Sequence, residues 1–420
     1  MQIQYAQSRR RAVTLERARQ LDATDPLRFA RERFALPEGM IYLDGNSLGA
    51  LPKATPHHLA DVVERQWGQD LINSWNRHGW IEWPMRIAAK LAPIVGARPS
   101  ELLIADSTTV NLFKLLAAAM KARPDRRVIL TEEGNFPTDA YAAEAVASLM
   151  PGIRVDTRPK NELLDVLDAE VGVLFLTHVN YRTGARHDMV ELNRAAHDAG
   201  ALTLWDLSHT AGALAVDLNA SEADLAVGCG YKYLNGGPGA PAFLFVADHL
   251  QPVLESPIPG WMGDRNPFAF AHLHTPADGI RRFLTGTPSI LALAALDAGL
   301  DTFDGVRIAD VERKAESLTD FFLESVQALC GSQLMLPAPC PFSDRGSHVS
   351  VGHPEGYAVM QALIAEGIIG DFRPPDLMRF GFAPLYNSHL DAWSAATALS
   401  QILATRAWDK GHFRQRQTVT

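Results

Sequence analysis

Gly228-Cys229-Gly230-Tyr231-Lys232-Tyr233-Leu234-Asn235-Gly236-Gly237-Pro238-Gly239 sets a single lysine in a turn of glycines, directly after the apolar run Leu225-Ala226-Val227. A solvent-facing lysine gains nothing from glycines on both sides. A lysine that must bend over a flat ligand needs backbone free to take positive φ or to approach a ring closely. Lys232 therefore reads as a Schiff-base lysine, an amine made nucleophilic toward a carbonyl by burial or by nearby cations. The competing reading is a surface turn that happens to carry a lysine.

Upstream, Leu202-Thr203-Leu204-Trp205-Asp206-Leu207-Ser208-His209 tips the balance. Mostly apolar residues ending in an aspartate read as a buried strand that delivers a carboxylate at its C-terminal end. In open α/β sheets ligands bind at that edge. A Schiff-base lysine paired with such a carboxylate suits pyridoxal phosphate, whose ring nitrogen must stay protonated for the ring to act as an electron sink. Asp206 supplies the charge, and His209 is placed to lie against the ring or to bond its substituents.

Composition narrows the class. A chain of 420 residues exceeds one typical domain, so a large and a small domain are expected. The division runs as an N-terminal segment over 1–55 packing on the small domain, a large domain over 56–305 and a small C-terminal α+β domain over 306–420. Apolar content of 47% and charged content of 21% are those of an ordinary soluble chain. The balance of 39 basic against 48 acidic residues, net −9, argues against a nucleic-acid partner. Cys229, Cys330 and Cys340 show no C-x-x-C spacing and cannot all pair, which points to a reduced, cytoplasmic protein with no metal site. No apolar run approaches the ~20 residues that span a bilayer, and no apolar segment follows Arg9-Arg10-Arg11 to make it a leader.

Gly45-Asn46-Ser47-Leu48-Gly49 literally spells the G-x-S-x-G of a serine-hydrolase elbow. That elbow needs a helix immediately after the serine. Leu51-Pro52 and Thr55-Pro56 push the backbone off helical geometry, so a pocket-lining loop is expected, with helix only from Pro56 to Trp67. Trp75, Trp80 and Trp83 crowd one window, as core or as a wall for an aromatic substrate. Leu102 to Ala105 reads as a strand, and Asp106-Ser107-Thr108-Thr109 caps a helix over Val110 to Met120. Free amides at such an N-terminus make an anion site, so Thr108 and Thr109 are candidates for a cofactor phosphate.

The strand Val128 to Thr131 leads to Asn135-Phe136-Pro137-Thr138-Asp139, with Phe136 placed to stack on a planar ring and Asp139 to sit near its nitrogen. Strands over Val171 to Thr177, Leu202 to Asp206, Leu225 to Cys229 and Ala242 to Val246, with a helix over Val190 to Ala199, argue for a mostly parallel sheet covered on both faces. Thr177 and Asp206 should face one cleft. Pro257 to Pro288, rich in proline, glycine and aromatics, is expected to be a functional or interface loop. A helix over Ile308 to Leu329 bridges to strands at His348 to Val351 and Arg379 to Phe382 and helices near Tyr357 to Glu366 and Ala392 to Ala404, and the polar tail from Trp408 should fray.

Five motifs in order carry a resemblance: Leu43-Asp44-Gly45-Asn46-Ser47-Leu48-Gly49, Phe136-Pro137-Thr138-Asp139, Trp205 through Gly212, Gly230 through Gly239, and Arg379 through Ser388. Together they resemble the kynureninase family, in the aminotransferase class V group of fold type I pyridoxal-phosphate enzymes, from about Ile41 to Ser388. The resemblance implies a fold type I, PLP-dependent transferase-like α/β architecture with a mostly parallel seven-stranded sheet in the large domain. It implies pyridoxal 5'-phosphate held covalently by Lys232, with Asp206 and Asp139 at the ring nitrogen and Phe136, Pro137 and Thr138 in the segment that covers the ring. Thr177 and His209 would lie near the ring oxygen and edge, and Thr108, Thr109 and Tyr231 on the phosphate.

Trp261 and Thr287 would reach the phosphate from the other subunit of a homodimer. Ser47 and Trp80 would border the substrate, L-kynurenine, and Arg379 would take its α-carboxylate in a bidentate pair. Catalysis would rest on Lys232, Tyr231 and Asp206, giving anthranilate and L-alanine in tryptophan degradation or NAD biosynthesis. Family members that favour 3-hydroxykynurenine carry histidine and asparagine where Trp80 and Thr287 stand here, which makes the unsubstituted substrate the expected one. The rival within the cofactor class is a cysteine desulfurase-like lyase using Cys340, although Pro339-Cys340-Pro341 is stiffer than the setting a reactive thiol wants.

Overall fold

The computed structural model describes residues 13–338 and 340–417; Arg9-Arg10-Arg11 and Pro339 lie outside them. In chain order its strands are β1 (Ile41–Tyr42), β2 (Leu102–Ile104), β3 (Val128–Glu132), β4 (Arg154–Arg158), β5 (Val171–Thr177), β6 (Leu202–Asp206), β7 (Leu225–Gly228), β8 (Phe243–Val246), β9 (His348–Gly352), β10 (Ile368–Ile369), β11 (Asp371–Arg373) and β12 (Leu377–Gly381). Every residue of β5 and β6 is buried, as mostly apolar strands covered on both faces must be. They sit at the middle of a seven-stranded sheet of order β2-β8-β7-β6-β5-β3-β4. β3 to β7 run parallel, and β8 runs antiparallel to both β7 and β2. The mostly parallel α/β sheet is the one expected. β4, at the edge, holds one valine among polar residues, which is why apolar patterning passes over it.

Register decides where the chemistry lands. Thr177 pairs with Asp206 and Asp206 with Val227. The parallel strands therefore end together, and Thr177, Asp206 and the Lys232 turn emerge along one edge. The helix Thr108–Lys121 begins just beyond β2, its cap Ser107 accepting from Val110 N at 3.4 Å. Pro137 opens the helix Pro137–Leu149 at the position where its missing N–H costs nothing.

A second core lies under the antiparallel sheet β11-β12-β9. Val349, Val351, Met378 and Phe380 point into it and meet Phe322, Phe382 and Leu399. The helix Ile308–Cys330 serves both cores: Val311 and Ala315 pack into the first, Leu318 and Phe322 into the second. β1 pairs in parallel with β10, and a buried Asp25–Lys314 ion pair (2.7 Å) fastens the N-terminal segment to the long helix. That segment also reaches the turn after β7, where Gly49 N donates to Tyr231 O at 2.8 Å. The tail expected to fray is instead anchored as far as Gln417. Trp408 is buried in the second core, and the Tyr357 hydroxyl donates to Gln415 O (3.0 Å) and accepts from Gln417 N (2.9 Å); burial of one indole offsets the ordering of a polar tail. Among the described residues no helix is long and apolar enough to cross a membrane.

Candidate active site

The glycines around Lys232 do two different jobs. Gly237 and Gly239 take φ of 79° and 76°, where a side chain is strained. Gly230 is needed for space, since a Cβ there would collide with the Pro241 carbonyl. The turn so locked places Lys232 Nζ 3.4 Å from His209 Nε2 and 5.9 Å from the ring centroids of both Phe136 and Tyr231. Three rings wall a slot around one amine. Phe136, at the cap of Pro137–Leu149, keeps 39% of its surface exposed, which leaves area for a planar ligand. Burial, reinforced by Lys232 and His348, holds His209 neutral, and burial keeps the Tyr231 phenol protonated far above its usual range.

Asp206 and Asp139 form a buried carboxyl pair at the sheet edge. Burial first, then the charge of Asp206, raises Asp139 well above the carboxylate range. Asp139 lies in the field of Lys232 as well, which pulls the other way. The Thr177 hydroxyl donates to Asp139 Oδ2 (3.1 Å) and contacts Asn135 Oδ1, while Ser208 N donates to Asp206 Oδ1 (2.7 Å). A buried carboxyl pair fixed by these donors is what a pyridinium nitrogen requires.

At the other end of the slot a cavity of about 420 Å³ is lined by Ser107, Tyr231, Thr285, Gly286, Thr287 and Ser289. Thr108 and Thr109 are the first two residues of their helix, where amides lack helical partners and the dipole favours anions. Asp106, with φ of 50°, is held by the fully buried Lys114 (2.7 Å) and by the Thr285 hydroxyl (3.2 Å). Lys114 also donates to Phe283 O (2.8 Å), so the 283–287 loop is fastened to the foot of the anion-binding helix. A larger cleft, about 570 Å³, opens at the opposite edge of the sheet beside Leu202, Asp224 and His197; it contains neither the lysine nor the strand ends where ligands bind.

Arg379 is 1% exposed and almost saturated. Its Nε donates to Asp371 Oδ1 (2.8 Å) and Nη2 to Asp371 Oδ2 and to Ser47 Oγ (3.1 Å), while Nη1 donates to Tyr181 O. Asn46, with its amide turned so that oxygen faces the guanidinium, accepts from Nε (2.8 Å) and Nη2 (3.0 Å) as well. Arg373 also reaches Asp371 (2.8 Å). The bidentate partner of Arg379 in this structure is thus Asp371, where the expected bidentate partner was the substrate α-carboxylate.

The model of the kynureninase C-terminal domain matches residues 311–399. A kynureninase of Pseudomonas fluorescens is 47% identical over 408 residues, 95% of this chain and 98% of its own length. One of Burkholderia mallei (strain SAVP1) is 48% identical over 415 residues, 97% of this chain and 100% of its own. The chain belongs to the kynureninase family. Its fold is shared more widely: an apo cysteine desulfurase of Thermococcus onnurineus NA1 superposes with a TM-score of 0.76 at 18% identity, over 90% of this chain and 98% of that one. A C-DES mutant with glycine covalently linked to its PLP cofactor gives 0.76 at 18% identity, over 91% and 99%.

Seen as a kynureninase-family site, the donor set fits pyridoxal 5'-phosphate: an amine for the aldehyde, ring walls, a carboxylate for the nitrogen, an anion site for the phosphate. Lys232, Tyr231, Asp206, Asp139, Thr177, His209 and Phe136 gather along one sheet edge, and Ser47 touches Arg379. Pro137 and Thr138 stay at the start of their helix beside Phe136. Thr287 lines the same cavity as its own chain's Tyr231. Trp261, 38% exposed, lies on the surface against Phe268 and Phe270. Trp80 is turned into the core, its indole N–H donated to Gln66 Oε1 (2.8 Å) and its ring edge-on to Trp75, so its side chain has no donor to offer a substrate. Sequence reasoning missed Asn135, Asp371, Lys114 and Asp44. Asn135 carried a signal as the neighbour of Phe136, and Asp44 as a member of the motif around Ser47; Asp371 meets Arg379 through β11–β12 register, which spacing does not give.

Proposed function

We propose that this chain hydrolyses the Cβ–Cγ bond of L-kynurenine to anthranilate and L-alanine with pyridoxal 5'-phosphate as cofactor. The observation that carries the reading is the buried Asp206–Asp139 pair within the field of the Lys232 amine, in a chain of the kynureninase family. When bound, pyridoxal phosphate supplies an electron sink for charge developing at the substrate Cα. Lys232 holds the cofactor and then carries the Cα proton away and back. Asp206 keeps a proton on the ring nitrogen, and Asp139 with Thr177 keeps Asp206 in place. Phe136, with Pro137 and Thr138 behind it, covers the ring while His209 bounds its edge. The amides at Thr108 and Thr109 take the phosphate. Tyr231, held protonated by burial, donates a proton at the γ-carbonyl as water adds there. Arg379, with Ser47, fixes the α-carboxylate.

The exposed Trp261, Phe268 and Phe270 group suits a homodimer in which Trp261 and Thr287 complete the partner's phosphate site. Large-domain residues 56–305, the 306–420 unit and the 1–55 segment are the units we assign. 3-Hydroxykynurenine is the poorer substrate, the product flow is tryptophan degradation or NAD biosynthesis, and the location is cytoplasmic, in keeping with three free cysteines. Incubating the cofactor-loaded enzyme with L-kynurenine should release fluorescent anthranilate and equimolar L-alanine. If neither product forms while the cofactor is bound, the assignment fails.

A further inference from the structure

Arg379 alone does not make a carboxylate site. A guanidinium has five N–H donors; Asp371, Ser47 and Tyr181 O take Nε–H, both protons of Nη2 and one of Nη1. One N–H remains for a substrate carboxylate, which has two oxygens to satisfy. A second donor must stand nearby.

The sheet register names it. Arg379 pairs with Ser350 and Gly381 with His348 across β12 and β9. Val349, Val351, Met378 and Phe380 alternate with these residues and point into the second core, so Arg379, Ser350 and His348 share the opposite face. That face abuts the loop after β5: the Ser350 hydroxyl donates to Arg182 O (2.6 Å) and Gly346 N to Gly184 O (2.8 Å). Gly184, at φ 76°, has no room for a side chain, because a Cβ would lie 2.8 Å from His348 O and 3.4 Å from His348 Nε2. The His348 ring is 2% exposed and lies 5.4 Å from the ring of His209, which touches Lys232. Although the Asn180 backbone is close enough to act on it, neither ring nitrogen of His348 completes a hydrogen bond among the described residues, and neither does His209 Nδ1. A buried imidazole whose one backbone neighbour, Asn180, leaves both nitrogens short of a full hydrogen bond is costly unless a ligand uses them. Burial, then Arg379 and Lys232, keep this imidazole neutral, with one N–H to give.

We infer that His348 is a substrate-binding residue that donates its N–H to the α-carboxylate of the amino-acid substrate, completing the site that Arg379 begins. The inference rests on the functional reading above. The two are separable, since anthranilate release by the unaltered enzyme tests that reading and amino-acid affinity tests His348. The probe is L-alanine, titrated against the cofactor-loaded enzyme by the change in visible absorbance, with L-alaninamide, which lacks the carboxylate, as control. His348→Phe keeps a ring and removes the donor; His348→Leu is a second donor-free variant, and His348→Gln restores an N–H. Thermal stability and cofactor content show which variants fold.

Loss of one hydrogen bond to a charged group should weaken L-alanine binding roughly tenfold to hundredfold in a folded donor-free variant. KM for L-kynurenine should rise by a similar factor with kcat within about threefold, and the glutamine variant should recover most of the loss. L-Alaninamide should bind the histidine and phenylalanine forms alike. Unchanged L-alanine affinity in either donor-free variant overturns the inference, as does a defect confined to kcat or a glutamine variant no better than phenylalanine.

Discussion

Asp44→Asn should stabilise the protein, and increasingly so as pH rises. Asp44 is largely buried beside Asp371, and its Oδ1 has no hydrogen-bond partner among the described residues. Burial first, then the Asp371 charge, lifts its carboxyl from 3.8 to about 7, against the pull of Ser47, Arg379 and Arg373. The folded state therefore holds this proton more tightly than the unfolded chain does. Between about pH 4 and pH 7 the unfolded carboxyl is ionised while the folded one is not, so stability falls as pH rises, by up to about 1.4 kcal/mol per pH unit. Summed over the window this reaches about 4 kcal/mol and then levels off above about pH 7.5; because Arg379 and Arg373 pull against the burial of Asp44, about 2 kcal/mol is the lower bound. Asparagine has the same shape and no charge, so it removes the penalty. Urea unfolding of both forms at about pH 5, 6, 7 and 8 at fixed ionic strength reads the difference. It should grow from about 1 kcal/mol at the acid end to a plateau of about 2–4 kcal/mol. A variant less stable than the parent at about pH 8 would refute the reasoning, because it would make Asp44 an ionised partner whose loss strands a buried guanidinium. In activity the same titration raises KM above about pH 7 in the parent, as a second negative charge joins Asp371 beside the two arginines, and leaves the variant flat.

Lys232→Ala should lack both the visible absorbance of the lysine-held cofactor and all turnover, and full activity in this variant rules out covalent attachment at this amine. Arg379→Ala should raise KM for L-kynurenine by on the order of a hundredfold, the loss of about 3 kcal/mol of charged hydrogen bonding, and should lower thermal stability because Asp371 is left buried without its main partner; an unchanged KM decides against the carboxylate role. Cys340→Ser, at an exposed free thiol, should keep anthranilate production within about twofold, whereas complete loss would revive a thiol mechanism.

The parts of this molecule that could be read from sequence are those set by short-range pattern. β5 and β6 announce themselves as apolar runs, Asp206 as the charge that ends one, and Lys232 by glycines that the structure shows to be needed for φ at Gly237 and Gly239 and for space at Gly230. Register of neighbouring strands was legible too, because parallel strands of similar length end together and set Thr177 beside Asp206. What stayed hidden depends on long-range pairing. Asp371 and His348 are brought to Arg379 by antiparallel register in the second sheet, and nothing in their own neighbourhoods marks them. Trp80 misleads for the opposite reason: a cluster of aromatics reads equally as core or as binding wall, and only the bond to Gln66 separates the two.

The G-x-S-x-G sequence at Gly45 to Gly49 shows how one string serves a different physical purpose. In a hydrolase elbow its glycines expose a nucleophile. Here Gly45 lies where a Cβ would strike the Tyr386 hydroxyl, Gly49 where it would strike the Lys232 carbonyl, and Gly381, facing this segment, where it would overlap Asn46. The glycines let the chain close on the Tyr386 hydroxyl, the Lys232 carbonyl and the Asn46 side chain, and Ser47 spends its hydroxyl on Asp371 (3.1 Å) and Arg379 (3.1 Å), with no hydrogen bond to a histidine among the described residues. A buried guanidinium is stable only if its donors are satisfied, and its acceptors come from residues 46–47, from Tyr181 after β5 and from Asp371 in β11. The first of these segments is fastened to the lysine turn through Gly49 and Tyr231. Opening the second sheet away from the large one would therefore strip acceptors from Arg379 and loosen the Lys232 turn in the same movement, so the carboxylate site and the amine site are held at one spacing by the same short segment.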